Sequence, residues 1–212
     1  MLEARDVTFS YPGKKPIYQG FNLAVKLGER VALQAPSGFG KTTLCRMLAG
    51  YLQPASGQVL LDAQPLPTRG ACPIQLVWQH PEMAMDPHMR MAAALAEAGV
   101  GHRRMRSFSD PALSPAHREL LERLGIRETW LARFPHELSG GELQRFCIAR
   151  ALAVRPRYLI ADEISTMLDA VTQARIWYVL LEESTSTGMG IVLVSHSPGL
   201  TARVATRVAR LG

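Results

Sequence analysis

Cysteine is scarce. The 212 residues hold three, Cys45, Cys72 and Cys147, widely spaced and without a C-x-x-C pair. That argues against a disulfide scaffold and a zinc knuckle and suits a reducing compartment, where all three read as small buried apolar residues. No run approaches the ~18–20 uninterrupted apolar residues that cross a bilayer. The start, Met1-Leu2-Glu3-Ala4-Arg5-Asp6, carries charge where an export signal needs an apolar stretch, so a soluble, cytoplasmic chain is expected. Aromatic residues make up only 7%, and none interleave with basic residues in a stripe that could stack single-stranded bases; no nucleic-acid partner is expected. Repeats, low-complexity tracts and long linkers are absent from the sequence.

What is present is enough apolar residue, 47%, for a buried core, in a length that suits one domain with a sub-lobe. Lys and Arg number 24 against 18 acids, a formal charge of +6, which fits a phosphate ligand, an anionic membrane face or nucleic acid. The one basic cluster, His102-Arg103-Arg104-Met105-Arg106, reads as a solvated loop. Strands are expected at Val7–Tyr11, Phe21–Val25, Arg30–Leu33, Val59–Leu61, Ile74–Trp78, Tyr158–Ala161 and Ile191–Val194. Helices are expected at Thr42–Leu48, after Gly141 and from about Val171 to Glu183, with a mostly helical insert over Met83–Leu131. Strands alternating with helices imply a largely parallel sheet covered on both faces.

Between a strand and a helix lies Ala35-Pro36-Ser37-Gly38-Phe39-Gly40-Lys41-Thr42-Thr43. Backbone N–H groups and a helix N-terminus at such a turn can wrap a phosphate chain. Gly38 and Gly40 permit close backbone approach, Lys41 would neutralise β- and γ-phosphate charge, and the Thr42 hydroxyl would sit on Mg²⁺. Ala35 stands where the strict pattern has glycine; if that position needs a positive φ, alanine costs on the order of 1 kcal/mol. Phe39 is large for such a loop.

A second apolar strand ends in Asp162-Glu163. Side chains alternate along a strand, so the two acids can play separate parts. Asp162 can hold a metal shell, and Glu163 can take a proton from an attacking water. Gln79 follows the strand Ile74–Trp78 and can bind Mg²⁺ or orient water. His196 follows Ile191–Val194 and can hydrogen-bond a γ-phosphate. Thr42, Gln79, Asp162, Glu163 and His196 all fall at or beyond the carboxyl ends of strands, where open α/β sheets collect ligands.

At Leu138-Ser139-Gly140-Gly141-Glu142 the chain resembles the signature sequence of ATP-binding cassette (ABC) ATPases. The order of motifs agrees along nearly the whole chain: Tyr11 where that family stacks a ring on adenine, the P-loop at 35–43, the Q-loop Gln79, the signature, the Asp162-Glu163 pair, the D-loop Leu168-Asp169 and the switch His196. The resemblance implies a P-loop NTPase (RecA-like) core, an N-terminal antiparallel β subdomain and an inserted α-helical subdomain. The core would be 1–82 with 155–212 and the insert 83–154. It also implies ATP and Mg²⁺ as ligands, with Ser139, Gly140 and Gly141 contacting the γ-phosphate held by a second ATPase subunit in a head-to-tail dimer. Ile164, where proline is usual, joins Ala35 and Phe39 as departures that bear on catalytic efficiency.

Trp78-Gln79-His80-Pro81 with Asp86-Pro87, Pro135-His136-Glu137 before the signature, and Leu168–Ala174 resemble the dipeptide, oligopeptide and nickel importer group. That implies integral-membrane permease partners and a peripheral place on the inner face of the plasma membrane. With 16 residues after His196, the C-terminal extension that many members carry is expected to be absent. The crowd of His80, Met83, Met85, His88, Met89 and Met91 reads as packing or a docking surface in preference to a metal site. Two alternatives stand beside the importer: an accessory ATPase of a soluble enzyme complex of the phosphonate carbon–phosphorus lyase kind, and a soluble ATPase acting on nucleic acid or ribosomes.

Overall fold

The computed structural model describes residues 1–211. These form two compact units: Met1–Leu76, Arg157–Glu163 and 183–211 in the first, Val77–Pro156 and Ile164–Glu182 in the second.

The first unit carries two sheets. In one, β1 (Leu2–Phe9) pairs antiparallel with β2 (Tyr18–Val25) and with β4 (Ser56–Leu61), which pairs in turn with β5 (Gln64–Pro65). The other has the order β6 (Ile74–Val77), β7 (Tyr158–Asp162), β8 (Gly190–Val194), β3 (Arg30–Gln34), β9 (Arg207–Arg210). Its β7–β8, β8–β3 and β3–β9 pairs are parallel. Every residue of β7 and β8 is buried, which is why both read as unbroken apolar runs. Tyr158 is fully buried, and its hydroxyl donates to the Val25 carbonyl at 3.2 Å, joining the two sheets. Helix α1 (Lys41–Leu48) follows β3 and stops where Gly50 takes φ 80°, a left-handed turn that suits glycine.

In the second unit lie α2 (Met91–Glu97), α3 (Pro115–Arg123), α4 (Gly140–Ala153) and most of α5 (Ala170–Thr187). Met91, Leu95, Leu121, Phe146, Ile148 and Ile176 are fully buried there. Less of the insert is helical than the composition suggests, because residues 98–114 fold as a loop. Gly99 and Gly101 turn it at φ 79° and 63°. Side chains then capture its backbone: Asp110 accepts from the Ala112 N–H at 3.0 Å and Glu128 from the Phe108 N–H at 2.8 Å. Side-chain acceptors of this kind compete with helix formation. Met105, fully buried, anchors the basic stretch 102–106.

The bounds of the two units differ from the sequence division chiefly at Ile164–Glu182, which group with the helices. The reason is a set of polar ties. Arg145 of α4 donates to the Thr172 hydroxyl at 3.2 Å. Arg175 of α5 donates to the carbonyls of Glu122 and Arg123 at the end of α3, both at 2.7 Å. Three elements lie outside the sequence reading: β5, only two residues long, α6 (Pro198–Val204), capped by Ser197, and β9, four residues long and mostly exposed. Cys45 and Cys147 are buried, but Cys72 is only half-buried, since it lies in the turn before β6 where its carbonyl accepts from Gln75.

Candidate functional site

The loop between β3 and α1 is built by its glycines. Gly38 and Gly40 take φ 79° and 95°, and a turn closes from the Phe39 N–H to the Pro36 carbonyl at 3.3 Å. Ala35 is not among the residues of positive φ, so alanine there carries no left-handed strain, contrary to the penalty considered from the motif. Lys41 is buried, and its ammonium folds back onto the carbonyls of Ala35 (3.0 Å) and Pro36 (3.1 Å). Gly40 is the N-cap of α1, and no side chain caps the helix. The first amides of the helix are thus left for an external acceptor, at the positive end of its dipole.

Beside this loop, β7 delivers the acid pair. Asp162 is 2% exposed, and its Oδ1 has no hydrogen-bond partner. Burial pushes its carboxyl above the usual range, aided by the neighbouring Glu163 charge, while a hydrogen bond from the Thr42 hydroxyl and the charges of Arg46 and Lys41 pull the other way. Glu163 takes a left-handed backbone, φ 53°, uncommon for a residue with a side chain. Its N–H is held by the Val194 carbonyl at 3.1 Å, and its Oε1 lies 2.8 Å from His196 Nε2. Tyr11 sits at the loop as well: its hydroxyl is 3.2 Å from the Thr43 hydroxyl, and its ring stands edge-on to Phe9.

The first unit therefore assembles Tyr11, the stretch Pro36, Ser37, Gly38, Phe39, Gly40, Lys41, Thr42 and Thr43, then Asp162, Glu163 and His196. An orphaned carboxylate oxygen next to a threonine hydroxyl is a hard-oxygen donor set of the kind that suits Mg²⁺. The cation would offset the burial that now disfavours the charged carboxylate.

Gln79 and the signature belong to the second unit. Gln79 is half-buried just beyond β6. Ser139 caps α4 through a reciprocal box: its Oγ accepts from the Glu142 N–H at 3.3 Å, and the Glu142 carboxylate accepts from the Ser139 N–H at 2.8 Å. A cleft of about 280 Å³ opens here, lined in part by Ser139, Gly140, Gly141, Arg145, Asp169 and Thr172. A Cβ on Gly140 would meet Met167 Sδ at 3.0 Å, and one on Gly141 would meet Leu168 Cδ2 at 3.1 Å. The two glycines let the segment 167–168 lie close against the start of α4. Asp169 accepts from the Val171 and Thr172 N–H groups, both at 3.0 Å, and so starts α5. Among the described residues, no group of three or more His, Cys, Asp or Glu could hold a metal ion. In the methionine-rich stretch Met85 and Met91 are core residues and Met83 is exposed. No sequence motif marks Tyr18, whose hydroxyl donates to the Gly40 carbonyl at 3.0 Å; an aromatic at the inward position of β2 was the only signal.

A glycine loop between strand and helix, with acids at the end of a buried parallel strand, is the arrangement of a P-loop NTPase fold. The ABC transporter family model matches residues 18–166, and the chain belongs to that family. It is 36% identical over 202 residues to a Brucella abortus protein whose name, given as provisional, is peptide import ATP-binding protein. That match covers 90% of this chain and 58% of the relative. The nickel import system ATP-binding protein NikE of Staphylococcus aureus is 30% identical over 210 residues, covering 98% of this chain and 85% of the relative. Among solved structures, the dimeric bacterial ABC transporter cassette MJ0796 superposes with a TM-score of 0.80 at 26% identity, covering 100% of this chain and 94% of that one. The chain thus spans little more than half the length of the Brucella relative.

Proposed function

We propose that this chain is the ATP-hydrolysing, energy-coupling subunit of an ABC importer for peptides, nickel or a metal chelate. The observation that carries the reading is the grouping at the end of β7: a buried Asp162 with an unpartnered oxygen, tied to Thr42, next to a Glu163–His196 pair at 2.8 Å. In this reading the amides at the start of α1 cradle the phosphates. Lys41 leaves its two carbonyls to neutralise them, and Tyr11 offers its ring to adenine. Thr42, Asp162 and Gln79 would hold Mg²⁺, which supplies charge neutralisation at the β- and γ-phosphate oxygens when bound. Glu163 accepts a proton from the water that attacks the γ-phosphorus. The bond to the bridging oxygen breaks and ADP departs with that electron pair. His196 fixes the orientation of the Glu163 carboxylate. Ser139, Gly140 and Gly141 would meet the γ-phosphate of a nucleotide held by a second ATPase subunit.

The cargo class rests on the names of the relatives and on the stretches 78–81, 135–141 and 168–174. No helix among the described residues is long and apolar enough to cross a membrane. The importer reading takes integral-membrane permease subunits as partners, with this chain bound at their cytoplasmic face. Purification of the tagged chain from detergent-solubilised membranes tests it. Co-elution with permease subunits, and faster ATP hydrolysis in that complex, is the expected result. Recovery with soluble enzyme subunits alone would overturn the importer assignment in favour of an accessory ATPase.

A further inference from the structure

Gly40 is held from outside its own loop. Its carbonyl takes the first intrahelical bond, from the Leu44 N–H at 3.0 Å, and a second from the Tyr18 hydroxyl at 3.0 Å. Tyr18, at the start of β2, is 3% exposed. Its ring meets Phe39 edge-on, with centroids 6.3 Å apart, and leans on Phe21 at 5.0 Å. The neighbouring Ile17 closes the other side: a Cβ on Gly40 would fall 2.5 Å from Ile17 Cγ2. A peptide group is planar and trans, so its carbonyl and N–H point in opposite directions. Fixing the Gly40 carbonyl toward Tyr18 therefore aims the Lys41 N–H away from it.

We propose that Tyr18 is a positioning residue for the phosphate loop, whose hydroxyl presets the Gly40–Lys41 peptide and whose ring braces Phe39 so that the loop amides are aimed before nucleotide arrives. This rests on the nucleotide-binding reading of the loop. It also accounts for the bulky Phe39, since the ring that fits a phosphate loop poorly is the one Tyr18 grips. Helix α1 has no side-chain cap, so this contact fixes the Gly40 carbonyl while leaving the first amides of the helix open. Burial holds the phenol well above its ordinary range, so the hydroxyl keeps its proton and remains a donor near neutral pH. An amide aimed in advance leaves less ordering to be done on binding, and affinity rises accordingly.

The test pairs Tyr18→Phe with Tyr158→Phe. Both remove one buried phenol–carbonyl hydrogen bond within the first unit, but the Tyr158 bond goes to Val25, not to the loop. Binding of trinitrophenyl-ATP with Mg²⁺ is titrated by fluorescence, and hydrogen exchange at residues 38–43 is followed in the nucleotide-free protein. Tyr18→Phe is expected to bind about 3- to 10-fold more weakly and to exchange faster at Lys41 and Thr42, an effect equal to the loss of one modest hydrogen bond. Tyr158→Phe is expected to match the wild type in both. Wild-type affinity and exchange in Tyr18→Phe would overturn the proposal, as would equal weakening in the two variants, which marks a general loss of stability. A wild-type chain that binds no trinitrophenyl-ATP would overturn the nucleotide reading itself, and this proposal with it.

Discussion

Two helices begin at motifs of this chain, and they begin differently. Helix α1 starts at a left-handed Gly40, uncapped by any side chain, with a buried lysine turned back on the loop and an unpartnered carboxylate oxygen at the neighbouring strand end. Helix α4 starts at Ser139, whose capping box with Glu142 pairs two donors from within, the N–H groups of Ser139 and Glu142. The first site leaves polar groups in need of a ligand. The second is capped in part by its own side chains, although the Nε of Arg145, which lines the cleft beside it, is also buried without a partner. Buried polar groups are nearly always paired, so an unpaired one in a native fold calls for an explanation, and the proposed nucleotide and cation would supply it at Asp162.

Removing the charge of the first site should have the largest effect on nucleotide binding. Lys41→Ala is expected to weaken ATP binding roughly 30- to 100-fold, the scale of losing charge-assisted hydrogen bonds; isothermal titration checks it, and unchanged affinity would remove the contrast between the two helix starts. Glu142→Gln probes the other start. It keeps the box geometry and removes a carboxylate from the place where a γ-phosphate would approach. ATP-driven self-association should strengthen about 3- to 10-fold, as expected for relief of a like-charge contact of about 1 kcal/mol. Analytical ultracentrifugation with and without ATP would show it, and weaker association would mean the carboxylate is needed.

Asp162→Asn sharpens the comparison through stability. Burial raises the Asp162 carboxyl above its unfolded value, so the folded state binds its proton more tightly, and stability falls as pH rises from the ordinary carboxylate range through the raised one. The nucleotide-free variant should therefore melt higher than wild type at pH 7, by about 2–4 °C per kcal/mol recovered, and the gain should vanish at acid pH where both side chains are neutral. Its Mg²⁺-dependent gain in ATP affinity should be lost. The smallest effect belongs to Ala35→Gly. With no positive φ at that position, glycine relieves nothing and should cost roughly 0.4–1 kcal/mol of stability through the unfolded chain, with ATP affinity unchanged.

The buried strands were legible in the sequence, and the order in which they pair was not. Buried β7 and β8 read directly as apolar runs, and the glycines, Lys41, Asp162, Glu163 and His196 stood at strand ends where chemistry collects. Strand β9 escaped notice because an exposed Arg207-Val208-Ala209-Arg210 has no apolar face to read; only its pairing with β3 defines it. The left-handed Glu163 and the Tyr18–Gly40 bond went unseen for a related reason. Neither follows from local propensity, since both are set by contacts between residues far apart in the chain. The unit bounds moved at 164–182 because the arginines that tie α5 to α3 and α4 look, in sequence, like ordinary surface charge.

The most direct measurement follows the fate of ATP on Glu163→Gln. Incubated with Mg·ATP, the variant should retain bound, intact ATP while phosphate release falls at least ~100-fold below the wild type, the scale of losing a general base. Phosphate release at the wild-type rate would contradict the role of Glu163 and, with it, the account of the acid pair.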